Sequence, residues 1–268
     1  MTYFMKQYKF SERKSCKLTG LGISSMRYTT QKDDDTNEIK LKLQSLARKH
    51  TRAGYRMLGA RLVKAGYKIN HKRVYRLYKE LELKLPKKQG KKLKHESRND
   101  QLQVSKINDC WSIDFVSDRL TDGRKLRFLN MIDNYSRISP GISVASSLPS
   151  SSVIEILTES INKYGKPNNL LLDNGPEFRS QEFQKWAQEN DIVLQYITPG
   201  KPTQNAYIES FNGKFRAEFL DQHWFSTMVE VQRLTEKWRK YYNENRPHSS
   251  LDYLTPNEFI QIQERNMH

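Results

Sequence analysis

The chain has 268 residues, 36% of them hydrophobic, which is enough to bury a core, and its 46 Lys+Arg against 30 Asp+Glu leave a net charge of +16. No uninterrupted apolar run approaches the ~18 residues of a membrane span, and the opening MTYFMKQYKFSERK lacks the apolar stretch and small-residue cleavage site of a signal peptide. Two distant cysteines, Cys16 and Cys110, and six scattered histidines argue against a disulfide framework and a structural zinc site, and fit a reducing cytoplasm.

The positive charge is segregated. Residues 1–100 hold 27 Lys+Arg against 9 Asp+Glu, whereas residues 101–268 hold 19 against 21. A basic amino-terminal region joined to a near-neutral globular part points to a polyanion partner. Nucleic acid is favoured over anionic membrane, because the basic helices lack the Trp/Phe/Leu face of an interfacial anchor.

In chain order, FSERKSCKLTGLGISSMRY (residues 10–28) has an N-cap at Ser11, a helix broken at Gly20 and a second helix from about Ser24. That is the outline of a helix-turn-helix, or of a plain helical hairpin. Asp33, Asp34 and Asp35 mark a polar break, read as a solvated cap. An amphipathic helix follows with Ile39, Leu43 and Leu46 inward. In residues 54–85, a helix around Leu58 and Leu62, the turn Ala65-Gly66-Tyr67 and a helix capped by Asn70 form a second candidate helix-turn-helix. Val74, Leu77, Tyr78 and Leu81 make the apolar stripe of its last helix. Lys72, Arg73, Arg76 and Lys79 fill the other faces and are the candidate DNA contacts there. Residues 86–98, PKKQGKKLKHESR, read as a basic linker able to lie along phosphates.

The texture changes near residue 108. Strands are expected at 110–117, 126–133 and 138–146, the first two joined by an Asp-Gly hairpin turn at Thr121-Asp122-Gly123-Arg124. A helix starting at Ser150–Ser152 carries Val153, Ile156, Leu157 and Ile161. A strand ending at Leu172, a helix at 180–190, a strand at 192–197 and a helix at 205–220 complete the order. Three antiparallel strands followed by parallel strands with crossover helices predict an α/β fold, a mixed sheet covered by helices, of the ribonuclease H type. It would be preceded by all-α helix-turn-helix segments and followed by a helical extension. The expected organisation is 1–45 and 46–85 as helix-turn-helix-like segments, 86–106 as linker, 107–225 as catalytic core and 226–268 as extension.

Three acids reach this core by separate routes. Asp114 lies mid-strand among Trp111, Ile113, Phe115 and Val116; Asp173 ends the LLLD strand; Glu209 is in the 205–220 helix, with 35 residues between it and Asp173. On a helical wheel Ile208, Phe211, Phe215 and Phe219 form the buried stripe, while Glu209, Gly213 and Arg216 share a face at its edge. Gly213 inside a helix costs ~1 kcal/mol relative to Ala, which a close-approaching backbone or a packing need would justify. Carboxylates converging from separate elements repel unless a cation lies between them, and all-oxygen donors select Mg²⁺ or Mn²⁺. Two such ions stabilise both the attacking and the leaving oxygen of a phosphoryl displacement. Asp133 and Glu177 are read as a turn or cap residue and as a solvated or supporting acid.

The segments WSIDF, IDNYSR, LLLDNGPEF, PGKPTQNAYIESFNGKFRAEF and YNENRPHSSLDYLTP resemble the OrfB-type transposases of bacterial insertion sequences, which share a retroviral integrase-like DDE core. SERKSCKLTGLG and RAGYRMLGARL…NHKRVYRL extend the resemblance over nearly the whole chain. It implies a catalytic, metal-binding triad of Asp114, Asp173 and Glu209 with two Mg²⁺ (or Mn²⁺) ions, and DNA contact by Arg216. Asn174 and Gly175 would shape the loop, and Asn205 and Asn212 would touch substrate DNA. It also implies double-stranded DNA partners (terminal inverted repeats and target), a homo-oligomer on DNA, and an upstream-encoded OrfA-type partner or a frameshift fusion to it. The reaction implied is metal-dependent strand cleavage followed by strand transfer, that is, DNA integration and recombination. Integrases carry an amino-terminal His/His/Cys/Cys zinc module and this chain does not, so end recognition falls to the helix-turn-helix units. Ile138 follows Arg137 where relatives often have an acid. A non-catalytic DNA-binding protein and a nuclease without strand transfer stay open at this level.

Overall fold

The computed structural model describes residues 2–28, 35–86, 104–198 and 202–266. Most of the expected linker, together with Asp33 and Asp34, lies outside the described residues. Contacts divide the chain into Met1–Lys42 and Leu43–His268.

The first unit holds α1 (Thr2–Gln7), α2 (Glu12–Thr19), α3 (Ile23–Arg27) and the start of α4 (Thr36–Lys49). Ser11 accepts a hydrogen bond from the Lys14 N–H at 3.3 Å, and Gly20 ends α2 in the left-handed region at φ 67°, where no side chain has to be accommodated. The second helix of the pair therefore starts close to the expected position. It has only five residues, and Arg27 pairs with Glu12 across the turn.

In the second unit, α5 (Tyr55–Lys64) and α6 (His71–Glu80) pack together, burying Leu58 and Leu62 of one and Val74, Leu77 and Tyr78 of the other. Gly66, at φ 93°, makes the turn between them, and Asn70 caps α6 by accepting from the Lys72 N–H at 2.8 Å.

A five-stranded sheet follows, ordered β3-β2-β1-β4-β5. Its strands are β1 (Cys110–Arg119), β2 (Lys125–Asp133), β3 (Ile142–Ala145), β4 (Asn169–Leu172) and β5 (Val193–Tyr196). The first three pair antiparallel, whereas β4 lies parallel to β1 and β5 parallel to β4. The crossovers are α7 (Ser150–Tyr164) and, after β4, α8 (Pro176–Arg179) with α9 (Gln181–Glu189). The third strand is shorter than the 138–146 expected. Asp133 closes a turn instead, and hydrogen bonds at Ser139 go elsewhere: its N–H donates to Asn243 at 2.9 Å, and Arg239 donates to its carbonyl at 2.9 Å.

Alternation along β1 separates two cores. Trp111 and Ile113 join Leu129, Leu170 and Leu172 beneath α7 and α9. Val116, with Phe128 and Ile132 of β2, packs under α10 (Ala206–Glu218), whose Ile208, Phe211 and Phe215 are fully buried. The helix α11 (Met228–Glu244) lies in that same core through Val231, Trp238 and Tyr242, and α12 (Pro256–Asn266) packs on α11. Thr255 and Glu258 cap α12 reciprocally, the Thr255 N–H donating to the Glu258 carboxylate at 2.7 Å and the Glu258 N–H to Thr255 Oγ1 at 3.2 Å.

Candidate active site

Pairing of β1 with β4 brings the two aspartates near each other. Asp114 faces α10, because its strand neighbours Ile113 and Phe115 face the other core. The parallel ladder pairs Cys110 with Asn169, Trp111 with Leu170 and Ser112 with Leu171. The ladder stops there, two residues short of both acids, and Asp173 follows the end of β4 closely enough for its charge to act on Asp114. The Leu170–Leu172 run holds that strand end in the core, and turn chemistry fixes the acid beyond it: the Gly175 N–H donates to Asp173 Oδ1 at 2.9 Å. A Cβ on Gly175 would stand 3.0 Å from Asp173 Oδ1 and 3.1 Å from Glu177 Oε2, so the carboxylates close over a position that only glycine fills without a shift.

Asp114 is held by two donors, the Phe115 N–H to Oδ1 at 2.8 Å and Asn212 Nδ2 to Oδ2 at 2.7 Å. Asn212 in turn accepts from Asn130 Nδ2 at 2.7 Å, and Asn130 sits directly across from Asp114 on β2. Because a carboxylate only accepts, Asn212 must turn its amide towards Asp114, and its oxygen then faces Asn130. Burial pushes the Asp114 carboxyl up to about 6; Asp173 and Glu209 add like-charge repulsion, against the lowering effect of the Phe115 and Asn212 hydrogen bonds. Partial burial also raises Glu209.

Glu209 is exposed in the first turn of α10, one turn before Asn212. Gly213 and Arg216 are exposed along the same side, and Arg216 donates to the Ser117 carbonyl on the rim of β1 at 3.1 Å. A Cβ on Gly213 would meet nothing within 4 Å, so no backbone or side chain among the described residues accounts for the glycine. Asp114 thus feels the charges of both Asp173 and Glu209. Among the described residues, however, no three His, Cys, Asp or Glu stand close enough to hold one metal ion. The donor set still suits a hard divalent cation: three carboxylates, one half-buried and raised first by that burial and then by the other two, gain most from a shared positive charge.

The remaining site residues fall elsewhere. Asn205 is buried at the start of α10, and its Oδ1 finds no hydrogen-bond partner among the described residues. Lys72, Arg76 and Lys79 are exposed on α6, whereas Arg73 is half-buried and engaged within the protein. Asp133 accepts from the N–H groups of Asn108, Tyr135 and Ser136 and from the Ser136 hydroxyl, as a turn-closing acid should. Glu177 is not solvated; it pairs with Arg127 at 2.5 Å, and that guanidinium lies 3.8 Å over the Phe115 ring.

Three residues around the site escape a reading of the sequence. Asn130 and Arg127 are polar residues on an apolar strand, and applying parity to β2 would single them out. Arg246, given no role from sequence, is buried and clamps Glu218 at the end of α10 with bonds of 2.8 and 2.6 Å. Its neighbour His248 stands edge-on to Tyr242 with ring centroids 4.6 Å apart.

Comparison with known proteins agrees with this architecture. Models of an integrase core domain match residues 105–202 and 190–256, and a model of an HTH-like domain matches residues 32–91. The insertion element IS407 uncharacterized 31.7 kDa protein of Burkholderia multivorans is 39% identical over 259 residues, covering 97% of this chain and 94% of that protein. The insertion element IS476 uncharacterized 39.2 kDa protein of Xanthomonas euvesicatoria is 40% identical over 249 residues, covering 93% of this chain and 72% of its own length. Among solved structures, the simian T-cell lymphotropic virus intasome in complex with PP2A regulatory subunit B56 gamma contains a chain of the same fold. Its TM-score is 0.51 at 18% identity, covering 81% of this chain and 73% of that one.

Proposed function

The chain belongs to the insertion-element transposases built on an integrase core, polynucleotidyl transferases that act on DNA, and we propose that Asp114, Asp173 and Glu209 are its catalytic triad. The observation that supports the reading is the repulsion that Asp173 and Glu209 both exert on Asp114, with the helix of Glu209 tied to Asp114 through Asn212. These three carboxylates would hold two Mg²⁺ or Mn²⁺ ions. Bound there, divalent ions supply the positive charge that a phosphodiester displacement needs on both its entering and its leaving oxygen.

The chain's own residues do the remaining work. The Phe115 N–H and Asn212 aim the Asp114 carboxylate, and the Gly175 N–H aims that of Asp173. The first turn of α10 brings Glu209 to the open side, where a helix face without side-chain bulk at Gly213 lets a DNA strand pass close. Arg216 would meet phosphates beside the cut, and exposed Lys72, Arg76 and Lys79 of α6 would engage the duplex of the terminal repeats. Water cleaves one strand at an element end and leaves a 3′-hydroxyl. That hydroxyl attacks a second phosphodiester, so one P–O bond forms for each one broken and no covalent protein intermediate is needed.

We infer also that the active form is a homo-oligomer on DNA, working in the bacterial cytoplasm with an upstream-encoded OrfA-type partner or as a fusion to it. The relative of 39.2 kDa, of which this chain covers 72%, carries additional sequence in one protein. Among the described residues no helix is long and apolar enough to cross a membrane.

The test is strand cleavage and joining on duplexes bearing the element's ends, with Mg²⁺ added. Asp114→Asn, Asp173→Asn and Glu209→Gln should each lower the rate by at least a thousandfold (about 4 kcal/mol of barrier) while duplex affinity holds. Cleavage by Asp173→Asn at the unaltered rate would remove the triad, and hydrolysis without joining would leave a nuclease.

A further inference from the structure

A cavity of about 600 Å³, lined by none of the three acids, lies between the end of α4, α5, the last turn of α10, and α11. Lys49, Arg52, Arg61 and Lys237 line it, and its carboxylate is Glu218. That acid is already committed, since Arg246 holds both its oxygens. Arg61 lies deeper in the wall. Its guanidinium donates to the Tyr241 hydroxyl at 2.5 Å and to the Asn245 carbonyl at 3.2 Å, both neutral acceptors, while its Nε is buried with no acceptor among the described residues. His50 stacks on Tyr241, ring centroids 5.7 Å apart at 13°, and does nothing to offset the positive charge. Lys49, Arg52 and Lys237 are exposed at the rim. Four cations around one neutralised acid is an arrangement that repels itself in the free protein and is relieved by an incoming anion.

We propose that this cavity seats backbone phosphate of duplex DNA, as a second DNA-binding site separate from the catalytic carboxylates. Glu218 ends α10 nine residues after Glu209, roughly 13 Å along the helix axis and half a turn round it, so a phosphate here is a different one from that being cut. The choice of DNA over a free phosphate compound follows from the rim: three exposed cations contributed by α4, the loop after it and α11 suit a strand crossing the opening. That choice rests on the transposase reading above, whereas the anion seat itself rests on the cavity alone.

The full chain carrying Lys49→Glu, Arg52→Glu and Lys237→Glu together, all surface changes, is compared with the unaltered protein for binding to a blunt duplex of arbitrary sequence across a salt series. The expected result is an affinity lower by roughly tenfold or more and a log–log salt slope shallower by about 0.9 for each phosphate no longer neutralised, with an unchanged melting temperature. In the unaltered protein, bound duplex should protect Lys49 and Lys237 from acetylation. An unchanged slope, or equal acetylation of both lysines with and without duplex, overturns the proposal. Saturable binding of inorganic phosphate or ATP that the triple change abolishes, with duplex binding intact, overturns the DNA assignment in favour of a free phosphate ligand. Failure of the unaltered chain to bind or cut any duplex would strike the transposase reading instead, and so is told apart.

Discussion

Asp114 owes its aim to a neighbouring strand as much as to its own. The path runs from Asn130 on β2 through Asn212 on α10 to the carboxylate, each link 2.7 Å long. Partners that hydrogen-bond to metal ligands typically matter by about 10–100-fold. Asn212→Ala should therefore slow strand cleavage by about that factor and raise the Mg²⁺ concentration needed for half-maximal rate, with melting almost unmoved. Asn130→Ala should act in the same direction more weakly. The double change should cost less than the two single losses combined, because both act through one hydrogen-bonded path. A rate loss with no shift in Mg²⁺ requirement would assign Asn212 to DNA contact rather than to positioning.

Among the elements, α10 carries opposite demands on its two sides. Its inner stripe of Ile208, Phe211 and Phe215 is fully buried, whereas Gly213 on the outer side faces open space. Gly213→Ala should stabilise the helix by up to ~1 kcal/mol, read as a higher denaturation midpoint, while lowering strand cleavage if DNA passes over that side. Stabilisation with full activity would leave the glycine without a functional reason. The far end of the same helix depends on Arg246, whose side chain is 9% exposed against 19% for its partner Glu218. Arg246→Ala strands a largely buried carboxylate and should cost about 3–5 kcal/mol. Pairing Arg246→Met with Glu218→Gln should recover much of that, which denaturant titration of the three variants would reveal.

For the molecule as a whole, one buried and one half-buried imidazole weaken the fold in acid. Burial pushes His248 down to about 2 and His50 to about 4, in each case aided by nearby cations. Both are bases with depressed folded values, so the unfolded chain binds their protons first. Their contribution to stability is complete above about pH 6.5, the ordinary value of an unfolded histidine, and is lost as pH falls towards 4 and below. Each imidazole adds up to about 1.4 kcal/mol per pH unit to the slope in that window, with His50 adding less because it is half-exposed. His248→Phe, which keeps a ring against Tyr242, should flatten the fall of melting temperature between about pH 6 and pH 4. An unaltered pH profile would place the acid sensitivity in other groups.

Much of the architecture was legible in the residues. Apolar periodicity, the Asp-Gly turn and the caps at Ser11 and Asn70 specify elements locally, because each depends on contacts within a few residues. The third strand is shorter than its local pattern suggests because Asn243 and Arg239, a hundred residues away, take its hydrogen bonds. The same division runs through the site. That one acid stands mid-strand, one at a strand end and one at a helix edge follows from patterns of a few residues each. That Asp173 and Glu209 come near enough to repel Asp114, that Asn130 and Asn212 steer the carboxylate, and that Arg246 anchors the end of α10 emerges only on folding. Those arrangements depend on strand pairing and helix docking, and the energy behind them comes from burying groups far apart in the chain.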